Sequence, residues 1–569
     1  MIFGHHQITL QGWRCLLPCL VGLLLLLPAM SVLAADEQRL PGVVDRPIAT
    51  PPDEISRQPA DVPIPAAPKG DEVADPNQEL MANLDQVTFT GLSVIDEAVL
   101  QQAVAPFVGK SLTAGGLAEL KYAITRQFYD RGYVLVKAVT PPQDVSDGIL
   151  EVVIYEAKIG EITVQDDAGT VSPYLVGQLT RRVESGEVFR EGPVESMVND
   201  VNDLAGAGAS LNLRPGAQVG TTDMVLQVQP ADDDVQRFTV DNYGSELTGE
   251  FVGMAHLQKS NLLGWGETFR FIGRKSDGDL WSVLVGATVP TGLRNIKLDM
   301  DFLHSENEIG DRLAALNASG ETTYFGVGLS SAIINQRSRK LTLRAGFEYR
   351  DIESFLFDVT ESEDNIRQFY AEANYLWNWP NTVGYASLRL TQGVDIFGAS
   401  SEGDALASRL GDPQATKLQP LIYLGHKVSD NGMLKALFTG QWASDKLLAA
   451  DLFVLGGYGS VRGFESGQEL GEGGILMNLE YQHRVFQRDI WSVLVGPFLD
   501  AGRVFSKFDN VTIDDTLASA GIGVEISTTP SLWNYGDSNL RFDWAHTLGG
   551  YDAPRIDDNT YYFRFTQTF

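Results

Sequence analysis

Apolar positions change period once along this chain, and the change divides it. Between residues 114 and 131, Leu117, Leu120, Ile124 and Phe128 recur on one face of a 3.6-residue period, which predicts a helix closed by Gly132. Around it stand a strand at Gln86-Val87-Thr88-Phe89-Thr90, a helix from about 95, and strands at 133–140 and 148–156. A second β-α-α-β-β unit starts at Ile162-Thr163-Val164, with helices near 172–183 and 190–204 and strands at 209–213 and 223–229. Beyond residue 235 the period falls to two. Ile296, Leu298, Met300 and Phe302 share one face and Lys297, Asp299 and Asp301 the other. Leu341, Leu343, Ala345, Phe347 and Tyr349 likewise oppose Thr342, Arg344, Glu348 and Arg350.

Such segments recur eleven times before residue 442, near 236, 250, 267, 280, 293, 321, 338, 365, 382, 414 and 432. Five more follow, at 474–486, 491–505, 516–528, 538–547 and 559–569, for an expected sixteen. Strands in that number with no helix to cover them suit a closed antiparallel barrel, apolar toward lipid and charged toward a wet lumen. Closure also pairs every backbone group, which lipid demands. The fold class predicted is therefore a pair of α+β modules followed by an all-β transmembrane barrel of about sixteen strands.

Composition fits an exported protein. The 569 residues carry 74 acidic and 43 basic side chains, a net charge of −31, so phosphate would repel the chain and nucleic acid is not expected as a partner. Arg14, the apolar run Leu20-Val21-Gly22-Leu23-Leu24-Leu25-Leu26-Leu27 and the small-residue site Val32-Leu33-Ala34 predict a signal peptide over 1–34. Its removal takes both cysteines, Cys15 and Cys19, so no disulfide framework is expected. Residues 35–83 read as a proline-rich linker, with nine prolines between 36 and 80.

Catalytic and metal-binding constellations are not found. The seven histidines are scattered without metal-ligand spacing, so no metal, no cofactor and no enzymatic activity are expected. Gly109-Lys110-Ser111 ends like a phosphate loop, but Val104 stands where its first glycine belongs. Gly457-Tyr458-Gly459-Ser460-Val461-Arg462-Gly463 approaches a dinucleotide fingerprint but has no βαβ unit around it. Four glycines around one arginine instead suit a tightly packed loop, residues 455–473, that delivers a guanidinium to a buried partner. Asp500, in Phe498-Leu499-Asp500-Ala501-Gly502 on the next strand but one, is the expected partner.

At these residues the chain resembles the outer-membrane transporters of two-partner secretion, the hemolysin secretion/activation (TpsB) type. Val461-Arg462-Gly463-Phe464 looks like the inward-folded loop motif of that superfamily, and Phe498, Asp500 and Gly502 like its strand partner. Tyr129-Asp130-Arg131-Gly132-Tyr133 followed by Gln143-Asp144 resembles the first polypeptide-transport-associated (POTRA) module, and Leu213-Arg214-Pro215-Gly216 the close of the second. Asp241-Asn242-Tyr243-Gly244 with Thr248-Gly249 resembles the opening strand. The resemblance implies POTRA modules at 84–158 and 159–232 and a barrel at 235–569, in the outer membrane with the modules in the periplasm. It implies a pore that takes an unfolded TpsA-like exoprotein through Tyr129, Arg131, Gly132, Tyr133, Gln143 and Asp144 of the capture module and exports it without nucleotide. Outer-membrane lipid and the barrel-assembly machinery are the other partners implied, the latter through the chain-terminal Phe569. Transporters of this kind can carry a plug helix, for which residues 36–80 are too rich in proline. An insertase of other barrels, or a porin or adhesin with periplasmic modules, are the alternatives.

Overall fold

The computed structural model describes residues 75–81, 83–310, 314–315, 317–508, 511–529, 536–549 and 559–569. The expected signal peptide and nearly all of the proline-rich linker lie outside them. The linker's last residues are built into the first module: Glu79–Met81 pairs with Leu112–Thr113, and the Gly115 N–H donates to the Pro76 carbonyl (2.9 Å).

In the first module, Ile149–Glu156 is the central strand, parallel to Gln86–Thr90 and antiparallel to Val136–Val139. Helices α1 (Glu97–Val104) and α2 (Ala114–Tyr129) cover one face. Asp96 caps α1 by accepting from the Ala98 N–H, and Thr113 caps α2 by accepting from that of Gly116. Leu120, Ile124 and Phe128 meet Leu100, Val87, Val152 and Ile154 in one apolar core. The helix stops where Gly132 takes φ +83° and Tyr133 N–H returns to the Phe128 carbonyl.

The second module repeats the plan. Lys158–Gln165 is parallel and Ala207–Pro215 antiparallel to Thr221–Pro230, under helices α3 (Pro173–Thr180) and α4 (Glu191–Asn202). Met197, Val198, Val201, Met224 and Leu226 form its core.

Sixteen strands, running from Val235–Asp241 to Asn559–Thr568, then close into an antiparallel barrel. Eleven precede the long loop at 444–472 and five follow it, as the alternation predicts. The last strand pairs with the first from Arg564↔Asp241 to Thr568↔Arg237, which removes the free edges. Register aligns the faces. Phe271, Val285, Phe302, Phe325, Tyr349 and Arg367 are successive partners, and all but the last present an apolar or aromatic side chain outward, toward lipid. Inside, Arg270 binds Asp301 (2.9 Å), and Arg389 binds Glu348 (2.5 Å) and Glu372 (3.3 Å).

Module two docks on the short-turn end of the barrel. Asn335 Nδ2 donates to Asp200 and Asp203 (both 2.9 Å), its carbonyl accepts from Asn199 Nδ2 (2.8 Å), and Glu195 accepts from the Arg337 N–H (2.7 Å). Arg182 joins Asp200 (2.5 Å) to the Ile333 carbonyl (2.6 Å). This end faces the periplasm, and the loops at 394–415 and 444–472 lie at the outer mouth.

Candidate functional site

The loop at 444–472 turns back into the barrel. Its arms pair as Phe453↔Gly471, Val454↔Leu470 and Leu455↔Glu469. At the tip Gly456, Gly457 and Gly463 have φ of +104°, +85° and +95°, a region side chains avoid. Gly463 also rests against the wall: a Cβ there would lie 3.2 Å from Thr547 Cγ2. Its N–H donates to Tyr562 Oη (2.9 Å) and its carbonyl accepts from Thr560 Oγ1 (3.2 Å).

This backbone carries Arg462 to Asp500. Nε donates to Oδ2 (2.7 Å) and Nη2 to Oδ1 (2.9 Å), a two-point fork, and the Arg462 backbone N–H adds a third bond to Oδ2 (3.2 Å). The guanidinium lies 3.4 Å from the centre of the Phe498 ring. Asp500 is 0% exposed, and Asn478 Nδ2 joins it (2.8 Å) to the Ser460 carbonyl (2.8 Å). Val461 and Phe464 enter an apolar cluster with Leu455, Leu476, Val504 and Leu517. Gly502 leaves room for Leu455, whose Cδ2 lies 2.6 Å from where a Cβ would stand.

Further charges converge here that sequence reasoning missed. Arg541 donates to Glu480 (2.9 Å) and to both oxygens of Asp543 (2.7 and 2.8 Å), while Arg462 Nη1 reaches Glu480 and Asp543 at 3.4 Å. With Glu525 3.5 Å from Arg541 Nη1, four carboxylates therefore share two guanidiniums. Their signal in the sequence is the alternation Asn478-Leu479-Glu480-Tyr481-Gln482 and Arg541-Phe542-Asp543-Trp544, polar on the lumen face and apolar on the other.

The outer mouth is laced as well. Asp451 of the long loop binds Lys417 (2.5 Å) and Arg350 (3.3 Å) of the wall. Ser408 donates to Asp364 through its N–H (2.8 Å) and its hydroxyl (2.5 Å). Arg409 ties the two loops by donating to the Leu447 carbonyl (2.8 Å) and Glu472 (2.9 Å).

The six residues of the expected capture module separate into two places. Tyr129, Gly132 and Tyr133 stand at the junction of the modules: the Gly132 carbonyl accepts from the Glu191 N–H (2.8 Å), Arg190 lies over the Tyr133 ring (5.6 Å), and Tyr129 packs on the second module's core. Arg131 folds back on Gln127 (2.7 Å). Gln143 acts as a piece of strand, exchanging two 2.8 Å bonds with the backbone of Glu151, and Asp144 accepts from the Ser146 N–H (3.0 Å). That bond holds the Asp144 carboxyl below its ordinary range. Phe569 packs edge-on against Phe238 (6.0 Å), and its N–H donates to the Gln236 carbonyl (2.8 Å).

Comparison with known proteins agrees with this architecture. Residues 220–526 match the family described as haemolysin secretion/activation protein ShlB/FhaC/HecB, and residues 82–157 match the POTRA domain, ShlB-type. The heme/hemopexin transporter protein HuxB of Haemophilus influenzae (strain 86-028NP) is 24% identical over 501 residues, 82% of this chain and 84% of that one. The outer membrane transporter CdiB of Escherichia coli O6:K15:H31 is 24% identical over 458 residues, covering 78% and 76%. The solved structure of CdiB from Escherichia coli superposes with a TM-score of 0.75 at 22% identity over 95% of this chain and 98% of that one.

Proposed function

The chain belongs to the haemolysin secretion/activation protein family, and we propose that it exports an unfolded exoprotein along a route from the edges of its periplasmic modules to the barrel lumen. It is a translocation pore of the outer membrane with its modules in the periplasm. We divide it into modules at 84–158 and 159–232, a barrel at 235–569 and the inward loop at 455–473.

Capture proceeds by strand addition, the exoprotein's extended leading segment pairing with an open sheet edge. Ile162–Gln165 offers such an edge: it meets the central strand on one side, while only the start of its strand, Lys158 and Ile159, is covered on the other by residues 186–188. Tyr129, Gly132 and Tyr133 then act by fixing the angle between modules, and Gln143 and Asp144 by holding the shape of the first.

The observation that carries the transport reading is the lumen wall, whose charges are paired with one another, as in Arg270–Asp301 and Arg389–Glu348. Such a wall stays wet and gives a moving chain few lone charges to stop at, the apolar side chains on this face, such as Leu284 and Leu303, being buried against Tyr324. The Val461-Arg462-Gly463-Phe464 tip, seated on Phe498, Asp500 and Gly502, is the lock within it. Folding of the exoprotein outside removes the unfolded chain from the pore and drives transit without nucleotide. Phe569, on the strand that closes the barrel, is the mark read by the assembly machinery.

The test is co-expression with a candidate exoprotein, followed by assay of the medium with and without this chain. Appearance in the medium only when the chain is present supports the reading. Retention in the periplasm, together with failed assembly of other barrels on depletion of this chain, would replace it with insertase activity.

A further inference from the structure

The turn at 261–267 uses a fully buried carboxylate to hold two leucines in the open. Glu267 is 0% exposed, and its oxygens accept from the Leu263 N–H (2.6 Å) and the Trp265 N–H (3.0 Å). Asn261 Oδ1 accepts from the Gly266 N–H (2.8 Å), the Asn261 N–H donates to the Glu267 carbonyl (2.7 Å), and Asn261 Nδ2 donates to the Thr170 carbonyl of module two (2.7 Å). A turn pinned at five points cannot fold its side chains away, yet Leu262 and Leu263 are 64% and 74% exposed. Leu293 in the neighbouring turn is 64% exposed. Beside them Tyr174 of α3 stacks on Trp265 (6.4 Å, 20°), whose indole N–H is satisfied by the Pro290 carbonyl (2.7 Å).

Position says what this surface meets. These turns end the strands whose outward column is Leu257, Phe271 and Val285, paired in register and facing lipid. Leu262 lies five residues past Leu257; at about 3.4 Å per residue and a strand tilt of about 40°, it sits about 13 Å nearer the periplasm. The apolar band of such a barrel is about 25 Å tall, so this depth is that of the inner interface. Exposed leucines beside a Tyr–Trp pair, with the exposed Arg294 next to Leu293, are the chemistry of that layer. We propose that Leu262, Leu263 and Leu293 enter the periplasmic leaflet, with Tyr174 and Trp265 at headgroup level and Arg294 toward the lipid phosphates. Phospholipid is then the partner of this surface. Because Asn261 joins it to Thr170 and Trp265 to Tyr174 of α3, the anchor holds module two against the membrane as well as against the barrel.

The test places a thiol-reactive fluorophore at L263C in the full chain carrying C15S and C19S, reconstituted in phospholipid vesicles. The expected result is a fall in emission to about half when the acyl chains are brominated near the headgroup, as for a dye inserted at the interface. Leu343, in the lipid-facing column, gives the positive control as L343C. Val219 gives the negative control as V219C, in the far hairpin of module two, ten strand residues and thus about 30 Å from the barrel. A dye at 263 quenched no more than one at 219 overturns the proposal. So does a dye that ignores brominated lipid and shifts only when exoprotein is added, since the surface would then serve the passing chain. Folding of each variant is checked by the heat-dependent gel shift of the barrel.

Discussion

Replacing Arg462 by alanine tests the lock directly. The substitution removes the 2.7 and 2.9 Å bonds to Asp500 and the stacking on Phe498, but leaves the backbone N–H and Asn478 on the carboxylate. Asp500 is fully buried, so its charge has no water to turn to, and breaking such a pair costs about 3–5 kcal/mol. Against this stand the burial of Leu455, Val461 and Phe464, worth about 1.5–3 kcal/mol each, and the bonds from Gly463 to Tyr562 and Thr560. The loop therefore stays inside most of the time, while its displaced population rises by about two to four powers of ten. The barrel itself, closed by sixteen ladders, keeps its heat-dependent gel shift. Export should fall to near background, and a thiol at S460C, a buried position in the tip of the loop itself, should react from outside at least about tenfold faster. R462A combined with D500A should cost less than the two single costs together, because the second substitution removes the stranded charge. Wild-type export with an unreactive thiol would refute the argument.

Four further outcomes are expected. D451A leaves Arg350 and Lys417 without the carboxylate they share, so the outer loops should loosen and single-channel conductance in planar bilayers should rise; an unchanged conductance counts against the lacing as a barrier. G502V drives a side chain into Leu455 and should cost about 1–3 kcal/mol of loop stability, read as faster cleavage of the loop by added protease. Asp200 is pushed up from 3.8 to about 6, first by burial and against the pull of Arg182, so it binds its proton more tightly in the docked state than when exposed. Docking of module two is thus strongest below about 4 and loses up to about 3 kcal/mol as pH rises through 6; D200N should flatten that dependence, followed by protease sensitivity of the module. Deletion of 86–230 should stop secretion while the barrel still assembles and conducts, and secretion that survives would remove the modules from capture.

How far the sequence can be read depends on how local the cause is. Strand number was legible because lipid on one side and water on the other impose a period of two, and Ile296 to Phe302 shows it without any knowledge of the neighbouring strands. The contact of Arg462 with Asp500 was legible for another reason: an arginine among four glycines and an aspartate between Phe498 and Gly502 are unusual in strands that otherwise alternate. Glu480, Arg541 and Asp543 look like any lumen-facing charge. They meet Arg462 only because the barrel closes at a particular stagger, which no local pattern encodes. Helix α4 is a sharper case, since Glu195, Ser196, Asn199 and Asp200 are polar, carry no local signal of burial and are all buried. The turn carrying Asn335 and Arg337 covers them from more than a hundred residues away.

That buried polar face bears on how the machine is divided. An apolar contact between module two and the barrel would tolerate sliding, because dispersion is indifferent to small shifts in register. A contact made of directional bonds from Asp200, Asp203, Asn199 and Glu195 to a single turn admits one geometry, since a half-broken network strands buried polar groups at about 1–3 kcal/mol each. The docking turn leads directly into the strand Arg339–Leu356, the same strand whose Arg350 holds Asp451 at the outer mouth. One wall element thus joins the turn on which module two docks to the ion pair that fastens the long loop at the outer mouth.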